Sequence, residues 1–339
     1  MDLDPVAQAC DRAAAFLLES CRQSTWSDFL TPVGQSDQWV GAYVANVLSA
    51  NKRAADVLPV AAAKLLGKQR FNGGWSYNNR APADSDSTAS ALIFLGNKKF
   101  GIAISAIRRG IRFLLRHRRA DGGFATYRGT LKLRLLMKAF GVSFKGWTQS
   151  HPCVTAACLN ALLCSGVEPS HSVIIRGLDF LRASVNPSTG LWSAYWWQDV
   201  YYASTLVIRL FRKLRQPAPY TDSRIMNLLE KQSESGAWRI GTGTSDSAFA
   251  TALAIDLLKD KSITDVTHNK KRALDWLLAQ QESDGSWASV PILRIPHPFE
   301  QNPEDIMPWR IDGLGTGVLI RDQNRLFTTA TVFRVLTEF

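Results

Sequence analysis

Residues 69–75 read Gln69-Arg70-Phe71-Asn72-Gly73-Gly74-Trp75, and this stretch decides the fold because it recurs along the chain. The same Gln-x3-Gly-x-Trp pattern stands at 232–238 and 281–287, with looser copies that end at Phe124 and Trp192 and a decayed one at Trp26. The aromatic positions follow one another at intervals of 49, 49, 68, 46 and 49 residues. Because near-constant spacing is the signature of a repeat architecture, the sequence predicts six copies of one unit.

Two kinds of helical pattern flank each copy. Before it, apolar residues recur at helical spacing, as at Ile174, Leu178 and Leu181, which predicts an amphipathic helix. After it comes a stretch that is apolar nearly all round and therefore buried. The six buried stretches are expected to begin near Asp37, Asp86, His151, Asp199, Asp246 and Arg325.

Six outer and six inner helices close most simply into an α6/α6 barrel whose centre is lined by the inner set. We therefore expect an all-α fold, with residues 1–339 as one domain of six repeats. In each repeat, the tryptophan of the glycine turn is expected to join the end of an outer helix to the next inner helix.

Composition narrows the class of protein. The chain has 339 residues, 46% hydrophobic and 20% charged, which excludes a disordered chain. Apolar stretches such as 57–66 fall short of the roughly 20 residues that span a bilayer, and the acidic start does not match a signal peptide, so a cytoplasmic location is expected. Five cysteines without a CxxC pair indicate neither a disulfide framework nor a zinc ribbon.

The net charge of +11 is concentrated between Lys98 and Lys145. Arginines surround apolar residues there, a pattern that suits peripheral contact with an anionic membrane, an anionic ligand or simply a solvated basic face. No recognised nucleic-acid-binding module accompanies the charge, so no nucleic-acid partner is expected. The oligomeric state stays open.

Four of the six inner stretches begin with an aspartate: Asp37, Asp86, Asp199 and Asp246. An aspartate at a helix start is first of all an N-cap, and both the cap and the helix dipole favour the ionised carboxylate. Asp86 differs from the others because it has a second acid, Asp84, two residues earlier and a Gly-Gly-Trp-Ser-Tyr run upstream.

These residues resemble a known family. The run from Gly73 to Tyr77, followed by Asp84-Ser85-Asp86-Ser87-Thr88-Ala89, resembles the catalytic region of class II terpene cyclases of the squalene–hopene cyclase superfamily. The Gln-x3-Gly-x-Trp copies resemble that family's QW motifs, and residues 190–196 and 315–318 resemble two cavity-lining segments. The likeness spans nearly the whole chain as one barrel, which is similar to the monodomain cyanobacterial meroterpenoid cyclases of the merosterolic acid type.

The resemblance implies roles for particular residues. Asp86 matches the aspartate that protonates a terminal alkene or epoxide, with Asp84 as its supporting neighbour, and Tyr77, Trp196 and Tyr202 match aromatic positions that stabilise the carbocation. The chain departs from the family pattern at three positions. The third aspartate is replaced by Ser87, the histidine that orients the acid falls at Ala157, and an aromatic residue for the late cation falls at Val318.

The chemistry explains this set of residue types. An acid that protonates an alkene must keep its proton at neutral pH, which requires burial in an apolar cavity. Aromatic faces stabilise a carbocation without attacking it, and Trp39, Phe249 and Trp309 are further candidates for such a wall. Neither a metal nor a cofactor is expected, because the proton comes from a side chain.

The segment 288–324 is long and rich in proline, and we interpret it as a loop that forms a lid or binds a head group. Its Arg294, His297, Arg310 and Arg321 could face an anionic head or solvent.

The sequence thus predicts a class II cyclase for a linear polyprenyl substrate, most simply a farnesylated aromatic acid. Squalene or a prenyl diphosphate as substrate, and a non-catalytic lipid-binding toroid, remain alternatives. A subunit like the β subunit of protein prenyltransferases would need a zinc site, of which His151 and Cys153 supply only a fragment.

Overall fold

A computed structural model describes residues 4–96, 100–101, 104–129, 143–241, 243, 245–259, 265–305 and 308–339. The chain is rich in helix, at about half of its residues. The helices are α1 (Pro5–Glu19), α2 (Trp39–Val47), α3 (Val57–Gly67), α4 (Ser85–Leu95), α5 (Ile104–Leu115), α6 (Lys145–Thr148), α7 (Pro152–Cys164), α8 (Ser172–Ala183), α9 (Tyr201–Lys213), α10 (Thr221–Glu230), α11 (Ala248–Leu257), α12 (Thr267–Ala279) and α13 (Leu326–Leu336).

The predicted buried stretches form the helices α2, α4, α7, α9, α11 and α13, each beginning within two residues of the expected position. Every residue of α11 is buried, as its uniformly apolar sequence predicts. Each of these helices packs against the next along the chain, and α13 packs against α2. The amphipathic helices cover them from outside; on α8, for example, Ile174, Leu178 and Leu181 face inward.

The turn tryptophans join outer and inner helices as predicted. The indole N–H groups of Trp26, Trp75, Trp192, Trp238 and Trp287 donate to carbonyls at or near the ends of the preceding outer helices, at 2.6–2.8 Å. The backbone N–H of Trp75 donates to Thr88 Oγ1 on the next inner helix at 2.9 Å, and Trp238 does the same to Thr251. Each turn therefore fixes two helices at once.

The glutamine of the motif links one repeat to the next. Gln281 Nε2 donates to the carbonyl of Gly285 in its own turn and to that of Ala9 on α1, both at 2.9 Å. Gly285 has φ +87°, and a Cβ atom there would lie 2.4 Å from the carbonyl oxygen of Arg12, so glycine is required. The sixth repeat is thereby attached to the first helix of the chain.

Short strands correct the expectation of an entirely helical fold. Strands β1 (Asp28–Thr31) and β2 (Gly34–Ser36) form a hairpin. Within 288–324, β3 (Leu293–Ile295) pairs antiparallel with β5 (Val318–Ile320), and β4 (Arg310–Ile311) pairs parallel with β5. The segment also pairs with residues beside α9, since Arg294 N donates to Trp196 O at 2.9 Å. These bonds satisfy backbone N–H and C=O groups of the paired residues.

The helix caps differ from the prediction, which was wrong about all four aspartates as N-caps. Gln38, Asp84, Val200 and Ser247 occupy the N-cap positions of α2, α4, α9 and α11. Asp37 instead pairs with Lys68 at 2.6 Å. The pattern placed each helix start correctly to within two residues, but capping depends on one residue's backbone angles.

Among the described residues, no helix is both long enough and apolar enough to cross a membrane. The predicted basic segment between Lys98 and Lys145 lies in part outside the described residues, at 98–99, 102–103 and 130–142. In its described part, α5 buries Ala106, Gly110, Phe113 and Leu114 and leaves its arginines exposed.

Candidate active site

A cavity of about 770 Å³ lies at the end of the molecule where the inner helices begin. Its volume falls within the range of about 300–1,000 Å³ that is typical of small-molecule sites. Several inner helices, the hairpin and the β3–β5 sheet all contribute to its wall. The residues that matter below are Trp39, Tyr77, Asp84, Asp86, Thr126, Tyr127, Trp147, Ala157, Trp196, Trp197, Tyr202 and Arg294.

Asp84 is the N-cap of α4. Its Oδ1 accepts a hydrogen bond from Ser87 N at 2.7 Å, and its Oδ2 accepts one from Ser87 Oγ at 2.8 Å. Burial raises the pKa of Asp84 to about 6, although both bonds from Ser87 act to lower it. The serine that replaces the family's third aspartate thus holds the carboxylate of Asp84 in place.

Asp86 lies one half-turn further into α4, deep in the protein, with its carboxyl open to the cavity. Burial, and after it the neighbouring charge of Asp84, raise the pKa of Asp86 to about 7. The opposing effect is a hydrogen bond from Thr126 Oγ1 to Oδ2, at 3.2 Å. Because Asp84 accepts more hydrogen bonds that favour its ionised form, Asp86 has the higher pKa of the two.

Thr126 is fixed between the acid and an aromatic wall. Its hydroxyl oxygen accepts the indole N–H of Trp196 at 2.6 Å. Its carbonyl accepts the backbone N–H of Ser85 at 3.0 Å, and the hydroxyl of Ser85 donates to Ala125 O at 2.8 Å. These bonds tie the loop that carries Thr126 to the start of α4.

Aromatic rings form much of the cavity wall. Trp197 stacks on Tyr202 with ring centroids 3.9 Å apart, and Trp39 lies 5.8 Å from Trp197 and 6.3 Å from Tyr77. Trp147 lies 5.7 Å from Trp196. Because the face of an aromatic ring carries negative charge density, a wall rich in such rings suits a cationic ligand or intermediate.

The structure brings together six of the eight residues that the sequence singled out, since Asp84, Asp86, Tyr77, Trp196, Tyr202 and Trp39 all line this cavity. Phe249 does not line it; the ring packs behind the wall, 5.6 Å from Trp197. Trp309 lies outside it, with the guanidinium of Arg294 at 6.0 Å from its ring.

The cationic side chains of 288–324 are engaged by the protein itself. Arg294 is buried; its guanidinium donates to the carbonyls of Ala194 and Tyr195 and pairs with Glu304 at 2.8 Å. Arg310 donates to the carbonyls of Leu314 and Thr316, and Arg321 pairs with Asp312 at 2.8 Å. His297 shares a hydrogen bond with Thr316 at 2.7 Å.

Comparisons with known proteins identify the family of the chain. Residues 67–246 match the family model of the squalene-hopene cyclase C-terminal domain. The type II terpene cyclase MstE from Scytonema, in complex with geranylgeranyl dihydroxybenzoate, superposes with a TM-score of 0.87 at 31% identity over 98% of this chain and 97% of that one. The chain belongs to the squalene-hopene cyclase family of type II terpene cyclases.

The chain is similar to two further proteins. A protein from Actinoplanes superposes with a TM-score of 0.87 at 31% identity, over 98% of each chain. The drimenyl diphosphate synthase of Streptantibioticus cattleyicolor is 28% identical over 256 residues, which are 71% of this chain and 43% of that protein. The chain therefore spans less than half the length of this curated relative.

Near Asp86 the chain departs from the family pattern. Ala157 lines the cavity without a polar group, and His151 on the same inner stretch does not reach Asp86. Instead, His151 bonds the carbonyl of Gly146 at 2.9 Å and stacks on Tyr195, and burial lowers its pKa to about 3, so it is neutral. Val318 is buried in β5.

Thr126 is the site residue that sequence reasoning missed. It follows the Gly122-Gly123-Phe124 turn two positions later, and this turn is the copy of the repeat that comes after Gly73-Gly74-Trp75. Because equivalent turns line the same end of the fold, the copy next to the Asp86 helix was the signal that could have found it. Among the described residues, no group of three or more His, Cys, Asp or Glu could hold a metal ion.

Proposed function

We propose that the chain catalyses proton-initiated polycyclisation of a linear polyprenyl chain attached to an aromatic acid. The observation that carries this proposal is the position of Asp86, an aspartate with a pKa near 7 in the wall of an aromatic cavity. Such an acid is protonated in a large fraction of molecules at neutral pH, and it faces the space where an apolar chain would bind.

The reaction begins when the Asp86 O–H bond breaks and a C–H bond forms at the terminal alkene. The proton leaves a tertiary carbocation on the substrate and a carboxylate on Asp86. Successive alkenes attack the cation and close rings, and loss of a proton from the last cation gives a product isomeric with the substrate. The cavity shape folds the chain into a reactive conformation, which supplies orientation rather than a reacting group.

The aromatic wall protects the cation in transit. Trp39, Tyr77, Trp196 and Tyr202 can each contribute about 0.5–2 kcal/mol when desolvated. Their rings also exclude water, which would otherwise quench the cation. Phe249 supports this wall from behind, and we assign Trp309 no contact with the substrate.

The proposed substrate class rests on the relatives. MstE is described with geranylgeranyl dihydroxybenzoate as substrate and, in a second structure at 32% identity over 98% of this chain and 96% of that one, TM-score 0.86, with merosterolic acid A as product. We assign this chain a prenylated aromatic acid of the same kind. Drimenyl diphosphate synthase makes a prenyl diphosphate the alternative.

For the architecture, we propose a single closed α6/α6 barrel over residues 1–339. Packing of α13 against α2 and the bond from Gln281 to Ala9 support closure. The β3–β5 sheet then acts as a lid, since Leu293 and Thr316 both line the cavity.

We also propose that this enzyme works in the cytoplasm with peripheral membrane contact, because its substrate partitions into lipid. The exposed arginines of α5 support the contact. Binding to vesicles with anionic lipid, but not to neutral vesicles, is the expected result, and equal binding to both would contradict it.

The function is tested by incubating the wild type and Asp86→Asn with farnesyl and geranylgeranyl dihydroxybenzoate, squalene and geranylgeranyl diphosphate, in the presence of a chelator. We expect an isomeric cyclic product from a prenylated aromatic acid with the wild type and none with the variant. Turnover of the diphosphate alone would correct the head group. Binding of the panel without turnover would favour the lipid-binding toroid, and dependence of the protonation on a metal would overturn the mechanism.

A further inference from the structure

The hydroxyl of Thr126 lies between a hydrogen-bond donor and a hydrogen-bond acceptor. On one side the indole Nε1 of Trp196 is 2.6 Å away, and on the other Oδ2 of Asp86 is 3.2 Å away. An indole N–H can only donate a hydrogen bond, and a threonine hydroxyl has one proton to give. Thr126 therefore accepts from Trp196 and has its own proton free for Asp86.

This arrangement distinguishes the two oxygens of the acid. If Oδ2 carried the proton, it could no longer accept the hydroxyl proton of Thr126, and that hydroxyl would lose its acceptor; the neutral acid therefore carries its proton on the other oxygen. Apart from the bond from its own backbone N–H, the carboxyl of Asp86 accepts no hydrogen bond other than that of Thr126 among the described residues, so Oδ1 has no partner from another residue there. We propose that Thr126, held by Trp196, is the positioning residue that keeps the transferable proton of Asp86 on Oδ1, and that it stabilises the carboxylate after transfer.

The proposal rests on the proposed function and deepens it, because it explains how this chain orients its acid where Ala157 offers no polar group. A hydrogen bond to an ionised group is worth more than one to a neutral group, so the bond from Thr126 strengthens as the proton leaves. Trp196 then has two roles, since its ring faces the cavity while its N–H directs the hydroxyl of Thr126.

The position of Thr126 is set by the backbone and not by the acid. The bonds from Ser85 to Ala125 and Thr126 hold the loop on α4. Substitution of the hydroxyl alone therefore leaves the loop attached, and its effect reports on the acid.

Several other titratable groups lie near Asp86. Asp84 is on the same helix; Tyr127 is on the Thr126 loop; Cys153 and Cys158 are on α7; and Tyr202 is on α9. Burial raises the pKa of each tyrosine and cysteine above its ordinary value, so these four stay neutral in the range where Asp86 titrates. Asp84, whose pKa is about 6, is the neighbour that shares this range.

The test compares Thr126→Val, which removes the hydroxyl, with Thr126→Ser, which keeps it, and with Trp196→Phe, which keeps a ring but loses the N–H. With Thr126→Val we expect kcat to fall about ten- to hundredfold while KM stays nearly unchanged. The decline of kcat at high pH, which we call the pH limb, should begin about one pH unit higher than in the wild type. Thr126→Ser should restore both. Trp196→Phe should shift the pH limb in the same direction, but by less than Thr126→Val does. The double variant should show no larger shift than Thr126→Val alone.

Thr155→Val is the matched control, because Thr155 Oγ1 accepts the Phe124 N–H at 2.8 Å on the neighbouring helix and makes no contact with Asp86. It removes a buried threonine hydroxyl in the same repeat and should leave the pH limb in place. A structural role for Thr126 would lower kcat or stability without moving that limb.

A second readout needs no turnover. The carbonyl band of protonated Asp86, assigned in infrared difference spectra by its loss in Asp86→Asn, gives the pKa of this acid directly. We expect the pKa to rise in Thr126→Val and to return in Thr126→Ser. An unchanged pKa and kcat in Thr126→Val would overturn the inference while leaving the cyclase function intact, whereas a shifted pKa in a protein that turns over no substrate would overturn the function alone.

Discussion

Asp86 and Asp256 both lie on inner helices and both are withdrawn from bulk solvent, yet the protein shifts the pKa of each in opposite directions. Burial raises the pKa of Asp86 to about 7. Burial also acts to raise the pKa of Asp256, but Arg209 and Arg212 outweigh it and the pKa is lowered. Arg212 NH1 lies 3.0 Å from the carboxylate, and Arg209 also pairs with Glu338 at 2.8 Å.

The positions of the two aspartates along their helices make the contrast between their pKa values sharper. Asp86 lies in the first turn of α4, where the helix dipole favours an ionised carboxylate, and Asp256 lies near the end of α11, where the dipole opposes it. Both shifts run against the dipole. Charged and hydrogen-bonding partners therefore decide the state of a buried acid: two guanidinium groups hold the pKa of Asp256 below its ordinary value, whereas a single threonine hydroxyl does not offset burial and the charge of Asp84 at Asp86.

The largest effect is expected for Asp86→Asn. An amide cannot donate the proton, so the rate of cyclisation should fall at least about a thousandfold. The amide keeps the size of the side chain, so the circular dichroism spectrum should match the wild type. Asp256→Asn is the control for loss of a buried carboxylate and should retain cyclisation in the folded protein at permissive temperature.

Stability should respond in the opposite way in these two variants. Asp256→Asn removes the carboxylate that Arg209 and Arg212 share, while Arg209 keeps its pair with Glu338, and should lower the free energy of unfolding by about 3 kcal/mol. Because the pKa of Asp256 is depressed in the fold, its contribution is present above the unfolded value near 3.8 and is lost as pH falls through the folded value. Chemical denaturation at a series of pH values measures this.

For Asp86 the sign is reversed. Its pKa is raised in the fold, so the wild type loses stability as pH rises from about 3.8 to about 7. Asp86→Asn should therefore become more stable than the wild type over this range and keep that advantage at higher pH. A variant that is less stable than the wild type at pH 8 would show that the carboxylate of Asp86 is stabilised by its surroundings, contrary to the comparison.

A smaller effect separates the aromatic residues of the cavity from one outside it. Trp39→Leu removes a ring from the wall and should slow cyclisation about tenfold. Trp309→Leu removes a ring that packs near Arg294 outside the cavity and should change the rate less than about twofold. Steady-state kinetics of both variants measure these rates, with thermal melting as the check on folding. A slower rate for Trp309→Leu than for Trp39→Leu would contradict the prediction.

Much of the fold could be predicted because the repeats carry it. The Gln-x3-Gly-x-Trp copies located every inner helix, and residues such as Gly285 and Trp287 have roles that a local motif can express. The prediction that Asp37, Asp199 and Asp246 are caps was wrong, because a shift of one or two residues decides which side chain reaches the free backbone N–H groups.

The site was harder to predict where orientation matters more than residue type. Phe249 and Tyr202 are both aromatic residues on inner helices, but helix rotation places Tyr202 in the cavity wall and Phe249 behind it. Thr126 carries no signal by itself, since its role depends on Asp86 and Trp196, which lie 40 and 70 residues away in the sequence.

The central claim is that Asp86 transfers a proton to a polyprenyl chain. The most direct measurement is turnover of geranylgeranyl dihydroxybenzoate in D2O, followed by mass spectrometry and NMR of the product. The account predicts one non-exchangeable deuterium on the carbon of the former terminal alkene that took up the proton, and no cyclic product from Asp86→Asn. A cyclic product without deuterium at that carbon, or one formed equally well by Asp86→Asn, would contradict it.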